Sequence, residues 1–247
     1  MSPGGSLPAD QAGGPAGDRE GGLEHRPDRI ILVRHGESEG NVDESVYERV
    51  PDHRLRLTER GVEQARQTGA VLRALLDGDS VEAYVSPYLR TLQTFAALGL
   101  PVAERDVRVE PRLREQDWAN FQDPTDIAEQ KAERDRYGHF YYRFSHGESG
   151  ADVYDRVSTF LESMHRNFAT PAAPRNVVII THGLTVRLFC MRWFHWSVGY
   201  FESLENPANG QLVVLQRQPD FRYRLEVPFA QWDPSVVPSE RERSSWL

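Results

Sequence analysis

The chain has 247 residues, enough for one substantial domain or two small ones with a proper core. Its 39% hydrophobic and 27% charged residues are ordinary for a globular protein, and no apolar run approaches the roughly 20 residues of a membrane-spanning helix. The formal net charge of −8 argues against a nucleic-acid binder, so an anionic ligand would have to be met by locally concentrated positive charge.

Cys190 is the only cysteine, which excludes an internal disulfide and points to a reducing, cytoplasmic compartment. Residues 1–27 are rich in glycine and carry no apolar block. They lack the basic start and apolar core of a secretory signal and read as a disordered tail.

From there the pattern alternates. Ile30–Val33 is an unbroken apolar run, as expected of a strand buried on both faces, and it stops at Arg34-His35-Gly36. The spacing predicts a helix over 58–76, with Val62, Ala65, Gly69, Leu72 and Leu76 on one face. Ala83–Val85 reads as a second strand, after which Ser86-Pro87 offers an N-cap and a first-turn proline for a helix ending near Gly99. A short strand at Val107–Val109 leads into RLREQDWANF, where Glu115 sits outside any amphipathic face.

Residues 116–147 form the natural cover for a site at the strand ends. They contain Lys131, Arg134, Arg136 and Arg143 with Tyr137, Phe140, Tyr141, Tyr142 and Phe144, and read as a charged helix followed by an aromatic packing segment. The aromatic content also suggests room for a substrate larger than a three-carbon acid. A strong helix follows over 151–168, striped by Val153, Val157, Phe160, Leu161 and Met164. Ser149 and Asp152 make a capping box at its start, so His146, in the second HGES of the chain, reads as a turn residue.

Val177–Ile180 is another buried strand, ending in Thr181-His182-Gly183 ahead of an apolar helix over 184–194. Leu212–Leu215 and Phe221–Val227 are late strands, and from Pro234 the sequence is again polar. The reading is one domain over 28–233, with cap 116–147, between a disordered tail over 1–27 and a loosely ordered one over 234–247. Its class is α/β: three layers, with a mostly parallel central sheet and helices on both faces.

Ligands of open α/β sheets bind beyond the carboxyl ends of the strands. If these strands are parallel neighbours, Arg34, His35, Arg90 and His182 converge on one spot, a set that suits a phosphate group. Arginine offers paired planar donors and keeps its charge. Gly36 and Gly183 let backbone amides approach an anion, and Gly183 opens a helix whose dipole favours negative charge. A neutral histidine can attack phosphorus, and an adjacent arginine helps keep it neutral. Glu115 is the candidate acid for the leaving oxygen, with Asp117 as runner-up. No His-Glu-x-x-His, cysteine pair or Gly-x-Ser-x-Gly supports a metal or a serine nucleophile.

The motifs RHGESEGN at 34–41, SPYLRTLQT at 86–94, LREQDW at 113–118, GESGADVYDRV at 147–157 and THG at 181–183 resemble the histidine phosphatase superfamily, in its phosphoglycerate mutase-like branch. The wording around REQDWANFQ and YGHFYYRF is most similar to plant phosphoglycerate mutase-like and fungal acid phosphatase members. The resemblance implies that His35 becomes a phosphohistidine and that Arg34, Arg90 and His182 hold the phosphoryl oxygens. It also implies that Ser38, Asn41 and Gly183 bind substrate, and that Glu115 acts as acid and then base. No metal and no cofactor are implied. Ala119 departs from the glycine many relatives carry there.

The implied function is hydrolysis of a small organic phosphate monoester, with no nucleic-acid or membrane partner; a homodimer is left open. The alternatives are a cofactor-dependent phosphoglycerate mutase and a non-catalytic phosphoester-binding protein. The paired arginines and proline-rich stretch that the resemblance would place over a glycolytic mutase site are missing, which favours the phosphatase. His182 is expected to work protonated beside a neutral His35, with activity falling as His182 loses its proton.

Overall fold

The computed structural model describes residues 25–119, 124–168, 173–239 and 241–243. Most of the expected N-terminal tail and the last residues of the C-terminal one lie outside that set. A six-stranded sheet forms the centre, built from β1 (Arg29–Arg34), β2 (Val81–Val85), β3 (Val107–Val109), β4 (Asn176–Thr181), β5 (Leu212–Arg217) and β6 (Tyr223–Leu225). Its order is β3-β2-β4-β1-β5-β6. The first four strands run parallel, and β5 and β6 extend the sheet antiparallel beyond β1.

Alternation along the strands separates two cores, because successive side chains leave opposite faces of a sheet. Ile31, Val33, Val178 and Ile180 point to one side, where they meet Leu72 and Leu76 of α2 (Glu59–Leu76) and Leu98 of α3 (Leu89–Leu98). Ile30, Leu32, Val177 and Ile179 point to the other, against α5 (Gly150–Phe168), α6 (Gly183–Phe194) and α7 (Val198–Ser203). The helix stripe Val153, Val157, Phe160, Leu161, Met164 is buried throughout. These are the three layers expected.

Several local expectations are met and others shift. The hydroxyl of Thr58 caps α2 by accepting from Gly61 N at 3.0 Å. Gly61, not Val62, occupies the buried face of the first turn. The reason is a backbone crossing: a Cβ on Gly61 would stand 2.0 Å from the Glu37 carbonyl oxygen, and one on Gly36 2.2 Å from the Gly61 oxygen. Ser149 and Asp152 form the capping box, the Ser149 amide and hydroxyl both reaching the Asp152 carboxylate at 2.6 Å. His146 is exposed and left-handed, at φ 64°.

Ser86 does not cap α3, which starts only at Leu89 with Tyr88 as N-cap. Ser86 instead continues the sheet ladder, donating its amide to Ile180 O at 3.0 Å, which frees its hydroxyl for another partner. Two short helices, α1 (Glu39–Val42) and α7, carry too few periodic residues to show in the sequence. The cap contains α4 (Pro124–Tyr137), followed by Phe140 and Phe144 packed inward. Tyr137 and Tyr141 are exposed. Two of the five aromatics are thus packing, two face solvent and Tyr142 is half-buried. No helix among the described residues is long and apolar enough to cross a membrane.

Candidate active site

The register of the sheet builds the site. Arg34 lies opposite Thr181 and Val85 opposite Ile180, so the chain leaves three neighbouring strands at the same level. His35, His182 and Ser86 are the first residues beyond those ends, and His35 N donates to Thr181 O at 3.0 Å. The two imidazoles meet edge to face with centroids 5.2 Å apart.

The Nδ1–H of His35 donates to Gly36 O at 2.7 Å, which leaves Nε2 unprotonated, with its lone pair as an acceptor. Arg90 Nε donates to that Nε2 at 3.3 Å. Burial, then the charges of Arg90 and Arg34, hold the His35 imidazole well below its usual range, so the ring is neutral. Gly36 is needed for the close crossing with Gly61, and its amide donates to Thr94 Oγ1 at 3.1 Å, so it is not the anion donor expected from the sequence.

Arg90 is almost fully buried and is held by Asp52, its Nη1 donating to Asp52 Oδ1 and O at 2.7 Å each. Arg34 donates from Nη1 to Pro207 O at 2.6 Å, and its buried Nε has no hydrogen-bond partner among the described residues. His182 Nε2 shares a 2.8 Å hydrogen bond with the Ser86 hydroxyl. Its Nδ1 is unpartnered and lies 3.9 Å from Glu115 Oε2. Burial, Arg90 and His35 push the His182 imidazole well below its usual range, which favours a neutral ring in the ligand-free site.

Glu115 faces the same cavity, with Oε1 accepting from Gln116 N at 3.0 Å. Burial raises its pKa against the opposing pull of Arg90 and Arg34, favouring a protonated carboxyl. Asp117 is exposed and outside this cavity, so of the two candidate acids Glu115 is the one that lines it. Ser38, Asn41 and Gly183 also line the cavity. The Asn41 carboxamide oxygen accepts from Ser38 N, Ser38 Oγ and Asn209 Nδ2 at 3.0–3.1 Å, leaving its amide nitrogen as the group to offer a ligand.

The expected catalytic and binding residues therefore line or adjoin one cavity of about 200 Å³. Lys131 and Arg134 of the cap reach it, whereas Arg143 is turned away to Asp152. Sequence reasoning missed Tyr47, Asp52, His139, Arg187 and Asn206 on its walls. Only Arg187 left a signal, as a charge in the otherwise apolar run LTVRLFCM. Among the described residues no group of three or more His, Cys, Asp and Glu side chains is arranged to hold a metal ion.

A neutral histidine between a buried Arg90 and a half-buried Arg34, at the carboxyl edge of a parallel sheet, has the make-up of an anion site, and that defines the class: an α/β protein with a cationic pocket at its strand ends. The chain belongs to the histidine phosphatase superfamily (branch 1), whose family model matches residues 30–226. It is 44% identical over 241 residues to the phosphoglycerate mutase-like protein AT74 of Arabidopsis thaliana, covering 89% of this chain and 76% of that protein. To the broad-range acid phosphatase DET1 of Saccharomyces cerevisiae it is 30% identical over 303 residues, covering 84% of this chain and 91% of that one. Among solved structures, a mycobacterial glucosyl-3-phosphoglycerate phosphatase complexed with VO3 superposes with a TM-score of 0.62 at 25% identity, over 83% of this chain and 100% of the other.

Proposed function

We propose that the protein is a metal-independent phosphatase that hydrolyses a small organic phosphate monoester through a phosphohistidine on His35. One observation carries the reading: the Gly36 carbonyl fixes the His35 proton on Nδ1, so Nε2 presents its lone pair to the cavity beside Arg90 and a half-buried Glu115. Nε2 attacks phosphorus, the ester P–O bond breaks, and the leaving oxygen takes the Glu115 proton. The Glu115 carboxylate then takes a proton from water; the oxygen attacks phosphorus, the P–N bond breaks and phosphate departs. Arg34, Arg90 and His182 stabilise the charge on the equatorial oxygens, with Ser38, Asn41 and Gly183 at the rim. Its acid phosphatase relative supports hydrolysis over transfer between two organic acceptors.

The test is hydrolysis of p-nitrophenyl phosphate in the presence of a chelator, alongside His35→Ala. Turnover that disappears in the variant, with an acid-labile, alkali-stable phosphoryl label on the unaltered protein that the variant lacks, is the expected result. Isomerisation of 3-phosphoglycerate that requires 2,3-bisphosphoglycerate, with little hydrolysis, would make the protein a mutase. Phosphate-ester binding with neither activity would leave a binding protein.

A further inference from the structure

The cavity that holds His35 has a second cationic wall that the phosphoryl chemistry does not use. Arg187 of α6 is only 1% exposed, yet it lines the cavity. Its Nη1 donates to Leu204 O at 2.5 Å and Phe201 O at 3.4 Å, and Nη2 lies 3.3 Å from His139 Nδ1. Its buried Nε has no hydrogen-bond partner. Among the described residues no carboxylate stands within 4 Å of it: the oxygens of Glu202, its principal acidic neighbour, accept from the backbone amides of His139 and Phe140.

Arg134 of α4 repeats the pattern from the cap. Its guanidinium lies 4.8 Å over the Trp118 ring, its Nε is buried without a partner, and its ion pair is a long one to Asp135 at 3.4 Å. Lys131 lines the same wall but is satisfied by Glu44 at 2.6 Å. Packing alone does not call for this arrangement. A buried guanidinium without a counter-ion is costly, and a carbonyl-capping role would be met by Nη1 alone. Arg187, with no carboxylate within 4 Å among the described residues, and Arg134, with only the long pair to Asp135, each keep an unpartnered buried Nε on one cavity wall, and arginine's fork suits a carboxylate or phosphoryl group.

We propose that Arg134 and Arg187, with His139 between them, form a second anion subsite that selects phosphate monoesters bearing a further carboxylate or phosphoryl group. This deepens the phosphatase reading and rests on the His35 end of the cavity taking the first phosphoryl group. A volume of about 200 Å³ limits such a substrate to a small metabolite.

The experiment is calorimetric binding to the full-length His35→Ala protein, which cannot turn the esters over. 3-Phosphoglycerate is compared with glycerol 3-phosphate, and fructose 1,6-bisphosphate with fructose 6-phosphate; the pairs separate a carboxylate from a phosphoryl requirement. At least one pair should favour the second anion by about tenfold or more, the scale of one charge-assisted hydrogen bond. Adding Arg134→Met should cut that preference to about threefold or less, and Arg187→Met likewise; Arg134, on an exposed helix, keeps the test open if Arg187→Met fails to fold. Equal affinities within both pairs, no binding of any of the four esters, or a preference that survives both substitutions would overturn the proposal. Failure of the phosphatase reading shows separately, as absence of His35-dependent p-nitrophenyl phosphate hydrolysis by the unaltered protein.

Discussion

Arg156→Met is the sharpest test of how the fold holds Glu115 in place. The Arg156 guanidinium donates to the carbonyls of Arg112, Arg114 and Glu115 at 2.6, 2.9 and 3.1 Å, and to the two Glu148 oxygens at 3.1 and 3.0 Å. Glu148 in turn accepts from Asp117 N at 3.0 Å, so the loop on either side of Glu115 is gripped from α5. Methionine fills much of the same space and removes all five donors. The carbonyls of Arg112 and Glu115, left short of a donor, and that of Arg114, which keeps only the longer bond from Thr185 Oγ1 at 3.3 Å, cost about 1 kcal/mol each. The Glu148 pair adds roughly 1 kcal/mol, discounted because Glu148 keeps Arg114, whose side chain is 38% exposed. Against this, methionine's apolar contacts return about 1 kcal/mol, leaving a loss near 3 kcal/mol.

For a domain of this size that corresponds to a melting temperature lower by roughly 6–12 °C, read by calorimetry. Activity should fall further than stability, since a displacement of about 1 Å in a catalytic group costs on the order of 100-fold. The loss should be larger on an alkyl phosphate, whose leaving oxygen needs the Glu115 proton, than in phosphoenzyme formation from p-nitrophenyl phosphate. A melting temperature within about 2 °C of the parent, or alkyl ester turnover within about twofold, refutes the claim that Arg156 fixes this loop.

Glu115→Gln should slow alkyl ester hydrolysis by about 10²–10⁴-fold and, with p-nitrophenyl phosphate, give a stoichiometric burst and a trapped phosphoenzyme; a steady-state rate equal to the parent's would remove Glu115 from the mechanism. Ala119 sits at φ 65°, where a Cβ is strained, so Ala119→Gly should stabilise the protein by about 0.5–1 kcal/mol net of the extra unfolded-state freedom, raising the melting temperature by about 1–3 °C. His35 and His182 both have folded pKa values below the ordinary 6.5, so the unfolded chain binds the extra protons and stability is lost as pH falls below 6.5. The slope approaches about 1.4 kcal/mol per pH unit for each ring, while Glu115, shifted upward from 4.5, opposes it in the window just above 4.5. Melting temperatures in phosphate-free buffer should therefore drop from pH 7.5 toward 5.5, and less steeply in His182→Gln; a flat series would mean the rings are not buried neutral.

The fold was legible because its strands are short, apolar and buried on both faces, and because each parallel strand ends abruptly in polar residues. Ile30–Val33 before Arg34 and Val177–Ile180 before Thr181 put a histidine at each strand end, and the parallel pairing of β1 with β4 sets the two side by side. What the sequence hid depends on contacts between distant segments. Asp52 looks like one more surface acid in VPDHRLRL until the chain folds back and sets it on Arg90. Ser86-Pro87 matched a helix start on local chemistry, and the sheet register overrode it. The second wall of the cavity stayed invisible because Arg187 was read with the apolar helix around it and His139 with the aromatic segment. The conformational demand at Ala119 showed in sequence only as a departure from glycine.

The protonation states follow from the register more than from any one neighbour. Strand ends at the same level bring two imidazoles within 5.2 Å beside two arginines, and four positive charges cannot share that space without water. The fold settles this by keeping both rings neutral: the Gly36 carbonyl fixes the His35 proton on Nδ1, while the Ser86 hydroxyl pairs with His182 Nε2 as donor or acceptor and, when it donates, leaves the proton on Nδ1 facing Glu115. With both histidines neutral, the proposed mechanism draws the proton for the leaving oxygen from Glu115, a cavity carboxyl whose pKa is raised. Arg90 and Arg34 pull that pKa down and burial pushes it up, so the acid depends on how completely its loop excludes water. The grip of Arg156 and Glu148 on the Glu115 loop therefore governs both where the acid stands and whether it holds a proton to give.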